Sequence, residues 1–406
     1  MDEQLAFKSA TELRDLIATK QISPVELMET FFRRIERLDT HLNSFLVVTQ
    51  DLAMTQARKA EEAVIRGDSI GPLHGLPLPI KDTQMTAGIT TTMGSVVFKE
   101  RVPEKNAAVV DRVLEAGALI PGKTNVPEFG MVGTCENSLG VLGRNPWNTD
   151  CTPGGSSGGA AAAVAAYLCP VATGSDGGGS LRIPANLCGV YAIKPTQGRV
   201  SGYTGLGGPP RPNIFSQSGP IARTVPDSAL LLQVMAGFDR RDNASIRCTP
   251  PNFIAAVEKD IKGLRIGWSP DFGFADVFPE VLEVTSAAAT RFESLGCSVE
   301  SVGIELQEPY DSFGPIQAAD VFATLGQYVD THGERMTPYA QFMLERGSKV
   351  TAKDYMEAHG RIAALKATFA DLFEKYDLIM SPVSVSYTHL RCRRYSLCRS
   401  RWSPYH

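Results

Sequence analysis

Pro153-Gly-Gly-Ser-Ser-Gly-Gly-Ala-Ala-Ala-Ala-Val-Ala-Ala-Tyr-Leu-Cys-Pro-Val-Ala-Thr-Gly-Ser-Asp-Gly-Gly-Gly-Ser-Leu-Arg182 is the stretch on which the fold reading turns. Two Gly/Ser clusters enclose a dense helix former, Ala160–Ala166, and a buried-looking strand, Pro170–Thr173. A flexible linker would not be framed by packed elements. Gly between such elements marks places where the backbone takes φ > 0 or approaches something closely. Gly177-Gly178-Gly179 before Ser180 offers successive N–H groups with no side chain in the way, as an oxyanion hole requires.

Working outward, short apolar runs at Leu76–Ile80, Ala118–Ile120, Leu264–Trp268 and Leu378–Met380 read as strands. They alternate with helical stretches such as Ala107–Ala116 and Val281–Leu295, which predicts an α/β fold with helices on both faces of a sheet. Residues 1–65 read as a helical lead-in: Ser9 caps one helix, Ser23-Pro24 starts a second and Asp51 opens a third. With no repeat and no linker, residues 66–384 are expected to form a single large domain.

A chain of 406 residues can bury a proper core. Its net charge of −4 gives no basic footprint for nucleic acid, and no apolar run reaches membrane-span length. The first residues lack a secretory pattern, which predicts a soluble cytoplasmic protein. Eight Cys without C-x-x-C pairs or Cys/His ligand spacing point to neither a metal nor a disulfide framework, and no cofactor is expected.

Two short motifs fail on context. Gly117-Ala-Leu-Ile-Pro-Gly122-Lys123-Thr124 matches a P-loop, but a helix precedes it and Pro121 lacks an N–H donor. Gly154-Gly-Ser156-Ser-Gly158 matches a nucleophile elbow, but a loop precedes it and no His lies between His74 and His332.

Five ordered blocks carry a resemblance: Gly75-Leu-Pro-Leu-Pro-Ile-Lys81-Asp82, Gly122-Lys-Thr-Asn-Val-Pro-Glu-Phe129, Pro153–Gly159, Gly174-Ser-Asp-Gly-Gly-Gly-Ser-Leu-Arg182-Ile-Pro and Lys194-Pro-Thr-Gln-Gly-Arg199-Val. Over residues 5–384 the chain resembles the amidase-signature family. The resemblance implies a mixed sheet and a Ser acyl-enzyme. Its catalytic Lys falls on Lys81, its bridging Ser, held by a cis peptide, on Ser156 and its nucleophile on Ser180. It also places Gly130 and Met131 on the acyl side of the pocket. Asp176 and Arg182 are read as an ion pair bracing the loop, and Gly177–Ser180 as the oxyanion donors. Tyr167, Ala160 and Gly177 depart from the family's usual Gly, Ser and Thr or Ile.

The implied activity is hydrolysis of a small carboxylic amide, with Lys81 relaying through Ser156 to Ser180 and burial lowering the Lys pKa. The amide is the expected partner, with no nucleic acid or membrane, in a homodimer. An alternative is the A subunit of a tRNA-dependent amidotransferase, releasing ammonia from glutamine for partner subunits. A catalytically inactive scaffold is the reading from another class. Residues 385–406 hold five Arg and no acid, and Val385–Leu390 and Cys398–His406 read as translated sequencing adapters. The expectation is that the genuine chain breaks off after Leu378–Met380, short of its family's C-terminus.

Overall fold

The computed structural model describes residues 3–206, 214–307 and 309–384. The adapter-like tail, 385–406, lies outside them. The chain packs as two compact units, the first running to Glu258 and the second starting at Lys259.

Local signals set the first helices. Ser9 and Glu12 form a reciprocal capping box at the head of Ala10–Ala18, and the Ser23 hydroxyl accepts from Val25 N–H at 2.9 Å with Pro24 at the first turn of Pro24–Leu42. Each such cap is worth about 1 kcal/mol. The lead-in is not all helix, because β1 (Phe45–Val48) separates Pro24–Leu42 from the helix Gln50–Arg66. Four apolar residues are too few to show a period, and only their antiparallel pairing with a distant strand makes them β.

The first unit continues with β2 (Ile80–Lys81), β3 (Gly122–Thr124), β4 (Val171–Asp176), β5 (Tyr191–Ala192) and β6 (Gln217–Ala222). The sheet orders are β1-β3-β2, with β2 parallel to β3, and β4-β6-β5, antiparallel throughout. Thr173 N–H donates to the Pro79 carbonyl at 3.3 Å, which brings β4 alongside the chain entering β2. The expected strand Leu76–Ile80 is interrupted because Pro77 and Pro79 have no N–H to give a ladder. It survives as a Pro77–Leu119 bridge followed by β2, and Ala118–Ile120 is likewise reduced to that bridge.

Side chains on either side of these strands enter two cores, Val171 among Leu13, Leu78 and Leu231, and Ala172 among Phe32, Ala163 and Ile221. That alternation is the signature of a sheet with helices on both faces, the α/β class read from the sequence. The helix Gly158–Ala165 sits so close that a Cβ on Gly159 would lie 2.3 Å from the Asn125 nitrogen. Just beyond it Tyr167 takes φ +57, in the region that favours Gly. Phe7 at 4.8 Å and the Arg223 guanidinium at 4.5 Å pack on its ring.

In the second unit β7 (Arg265–Trp268) lies between β8 (Ser298–Ser301) and β9 (Leu378–Met380), all parallel. Its helices include Pro279–Thr290, Tyr310–Leu325, Pro338–Ser348 and Ala352–Lys375. No helix among the described residues is long and apolar enough to cross a membrane.

Candidate active site

Lys81 ends β2 with its side chain enclosed, 1% exposed. Its Nζ donates to Ser156 Oγ at 2.8 Å, Ser175 Oγ at 3.0 Å and the Ser175 carbonyl at 3.4 Å. Burial pushes its pKa down to about 7, against the opposing influence of Asp176 and Cys135. A sizeable neutral fraction therefore exists near neutral pH, and a neutral amine has a lone pair to take a proton.

Ser156 follows a cis peptide bond from Gly155. Gly155 admits no side chain, since a Cβ there would meet the Thr134 carbonyl oxygen at 1.9 Å. The neighbouring Ser157 is occupied differently. Its hydroxyl donates to the Ser175 carbonyl at 3.2 Å and its N–H to the Ser180 carbonyl at 3.1 Å. Ser157 thus ties this loop to β4 and to Ser180, while Ser156 turns its oxygen to Lys81.

Ser180 is half-buried on the turn between β4 and the helix Arg182–Cys188. Asp176 organises that turn. It is fully buried and accepts from Gly179 N–H at 2.7 Å, Leu181 N–H at 3.1 Å and Arg182 Nε at 2.9 Å. Burial pushes its carboxyl up, but the Arg182 hydrogen bonds and charge, with the two N–H groups, hold it below the usual carboxylate range. Within the row Gly177–Ser180, Gly179 N–H thus already has an acceptor inside the turn. Gly179 takes φ +109, a conformation closed to side-chain-bearing residues.

On the other side, Gly130 at φ +71 follows Phe129 at φ +55, and a Cβ on Gly130 would lie 3.4 Å from Ser156 Oγ. Its α-carbon therefore faces Ser156 directly. Met131, next in the chain, is half-buried.

Sequence reasoning missed Ser175, Thr173, Gln84, Asp82 and Lys123 around this centre. Lys123, the P-loop lysine of the motif search, is in β3, not a phosphate loop, and its Nζ donates to the Gln84 carbonyl at 2.6 Å. The signal available was a Lys set between apolar residues, Ala118–Ile120 on one side and Val126 on the other. A His-based site finds no support in the first unit, where His74 Nε2 is paired with the Ala60 carbonyl at 2.9 Å and His41 is exposed at a helix end.

The family model described as Amidase matches residues 26–396. The chain is 42% identical over 301 residues to the A subunit of a glutamyl-tRNA(Gln) amidotransferase from Carboxydothermus hydrogenoformans, a match spanning 74% of this chain and 61% of that protein. It is 36% identical to an acylamidase of Rhodococcus erythropolis, over 95% of this chain and 81% of that one. Among solved structures, a bacterial aryl acylamidase of the amidase-signature family superposes with TM-score 0.86 at 30% identity, covering 92% of this chain and 79% of its own. A 6-aminohexanoate cyclic dimer hydrolase superposes with TM-score 0.82 at 26% identity, over 91% and 78%.

Proposed function

The chain belongs to the amidase family, and from that premise we propose that it hydrolyses a small carboxylic amide through an acyl group on Ser180. Lys81, Ser156 and Ser180 are the catalytic residues of this reading. The observation that carries it is the 2.8 Å contact between a buried, readily neutralised Lys81 amine and Ser156 Oγ.

Ser180 Oγ attacks the amide carbonyl carbon while its proton passes to Ser156 Oγ and the Ser156 proton passes to Lys81 Nζ. Charge developing on the carbonyl oxygen is met by the N–H groups of Gly177, Gly178 and Ser180, with Gly130 and Met131 as the acyl wall. The C–N bond breaks as the proton returns along the same path to the leaving nitrogen. Water then attacks the Ser180 ester, giving its proton through Ser156 to Lys81, and as the C–O bond breaks that proton returns to Ser180 Oγ and the acid is released. Asp176 and Arg182 hold the turn and do not touch the reacting atoms. The reaction uses no metal or cofactor, and we place it in the cytoplasm.

An electrophilic fluorophosphonate should label Ser180, and peptide mapping checks it. A label on Ser156, or labelling undiminished in Ser180→Ala, overturns the assignment. A second reading, a glutaminase that works within a complex of partner subunits, draws on the likeness to the glutamyl-tRNA(Gln) amidotransferase A subunits. Glutamine turnover that appears only with such partners present would favour it over turnover of simple amides.

A further inference from the structure

Lys123 stands one strand from Lys81. In the parallel β2/β3 pair it is in register with Ile80, so its side chain leaves the face opposite to that of Lys81. It is fully buried, and an ammonium has three protons to place. All three have acceptors: the Gln84 carbonyl at 2.6 Å, Thr86 Oγ1 at 2.8 Å and Thr91 Oγ1 at 2.9 Å. Every acceptor belongs to the loop that leaves Lys81.

That loop reaches the candidate site by two arms. In the first, Gln84 Nε2 donates to the Gly174 carbonyl and to Ser218 Oγ, both at 3.1 Å, which fixes the part of β4 that carries Ser175. Gln84 Oε1 accepts from Thr173 Oγ1 at 2.6 Å, and Thr173 Oγ1 accepts from Lys81 N–H at 3.1 Å. In the second arm, Asp82 accepts from Thr92 N–H at 3.0 Å and Gly94 N–H at 3.4 Å, and between these residues the Met93 carbonyl accepts from Phe129 N–H at 2.8 Å. Phe129 leads directly to Gly130, the residue facing Ser156. Among the described residues Asp82 Oδ1, buried beside this loop, has no hydrogen-bond partner; burial pushes the Asp82 carboxyl up, and the Lys123 charge pulls it back down.

We propose that Lys123 is a positioning residue for the amide hydrolysis: by clamping residues 84–91 it fixes, through Gln84 and Met93, the two walls between which Lys81 meets Ser156. This rests on the Lys81–Ser156–Ser180 relay, so the test separates the two. Steady-state rates on simple amides are measured for the wild type, Lys81→Ala, Lys123→Met, Thr91→Val, Gln84→Met and the double variant Lys123→Met/Gln84→Met. Each is normalised to active sites counted by end-point fluorophosphonate labelling. A misplaced base is expected to cost Lys123→Met about 100-fold in kcat per labelled site, with KM changed by less than about threefold. Thr91→Val, which removes one acceptor and keeps the shape, should lose about tenfold in the same direction. If Lys123 acts through Gln84, the double variant should lose less than the product of the two single losses. The proposal is overturned if Lys123→Met loses only labelled sites and keeps full kcat at each, or if the double loss equals that product. Should Lys123→Met fail to fold, full kcat per site in Thr91→Val overturns it equally. Retained turnover in Lys81→Ala would instead sink the relay itself.

Discussion

The neighbouring strands β2 and β3 each carry one buried lysine, and burial lowers both to about 7. They differ in what surrounds the nitrogen. Lys81 meets the Ser156 and Ser175 hydroxyls, the first of them beside the half-buried Ser180 turn. Lys123 meets a carbonyl and two Thr hydroxyls on its own side of the strand pair, with Asp82 as the charge that pulls its pKa back up. A lowered lysine pKa thus marks burial, and only the protons within reach turn it into a candidate base.

Replacing the two lysines one at a time should separate these roles most sharply. Lys81→Ala is expected to cut amide turnover by about a thousandfold or more, because the only base of the relay is lost. Lys123→Met should fall short of that loss. Equal losses would erase the distinction, and an essential His found by mutagenesis would replace it with a triad.

The pH dependence of the rate sharpens the same contrast. In the wild type, kcat/KM should rise with pH through a midpoint near 7, where Lys81 becomes neutral, and then level off. The Lys123→Met variant should keep that midpoint at a lower plateau, since Lys123 faces the loop on the other side of the strand pair and takes no proton from substrate. A midpoint near the ordinary lysine value in the wild type would show that burial does not tune Lys81. Ser175→Ala tests the smaller contact at 3.0 Å, and about a tenfold loss is expected from one hydrogen bond to the amine.

What could be read from the sequence was local chemistry. Ser9 and Ser23-Pro24 announce their helices because a cap is made by residues within one turn. Strand Leu378–Met380 stood out as an apolar run after a long helix. β1, β3, β5, β6 and β8 were not read, because Phe45–Val48, Gly122–Thr124, Tyr191–Ala192, Gln217–Ala222 and Ser298–Ser301 become strands only by pairing with distant segments. At the site, Lys81, Ser156 and Ser180 were named from blocks of residues. The support beneath them was not, because Gln84 and Lys123 act through a carbonyl and hydroxyls brought together by the fold. Gly179 N–H donates to Asp176 three residues away, a contact that Gly177-Gly178-Gly179 alone does not disclose.

The smallest expected effect concerns stability, and its sign follows from the direction of the two lysine shifts. Each has a folded pKa near 7, below its ordinary value of 10.5, so between these limits the unfolded chain binds more protons than the folded one. Stability must therefore rise with pH across that window and be flat, at its lowest contribution, below it. Asp176 is also shifted down, but in the acid range, where its contribution is complete above the carboxylate range and lost only as pH falls through it, so it adds no slope here. Cys169, pushed up to about 12 by burial, works against stability once unfolded thiols ionise near 9. The clean interval is pH 7 to about 8.5, below the ordinary thiol pKa. Over it the wild-type Tm should climb by about 2–4 °C for each kcal/mol gained. Lys81→Met and Lys123→Met should each remove part of that climb, and by similar amounts, although their effects on turnover differ. Thermal melts at fixed ionic strength decide it: a wild-type slope that neither substitution reduces would mean that the two lysines are not held neutral in the fold, and the contrast between β2 and β3 would lose its common starting point.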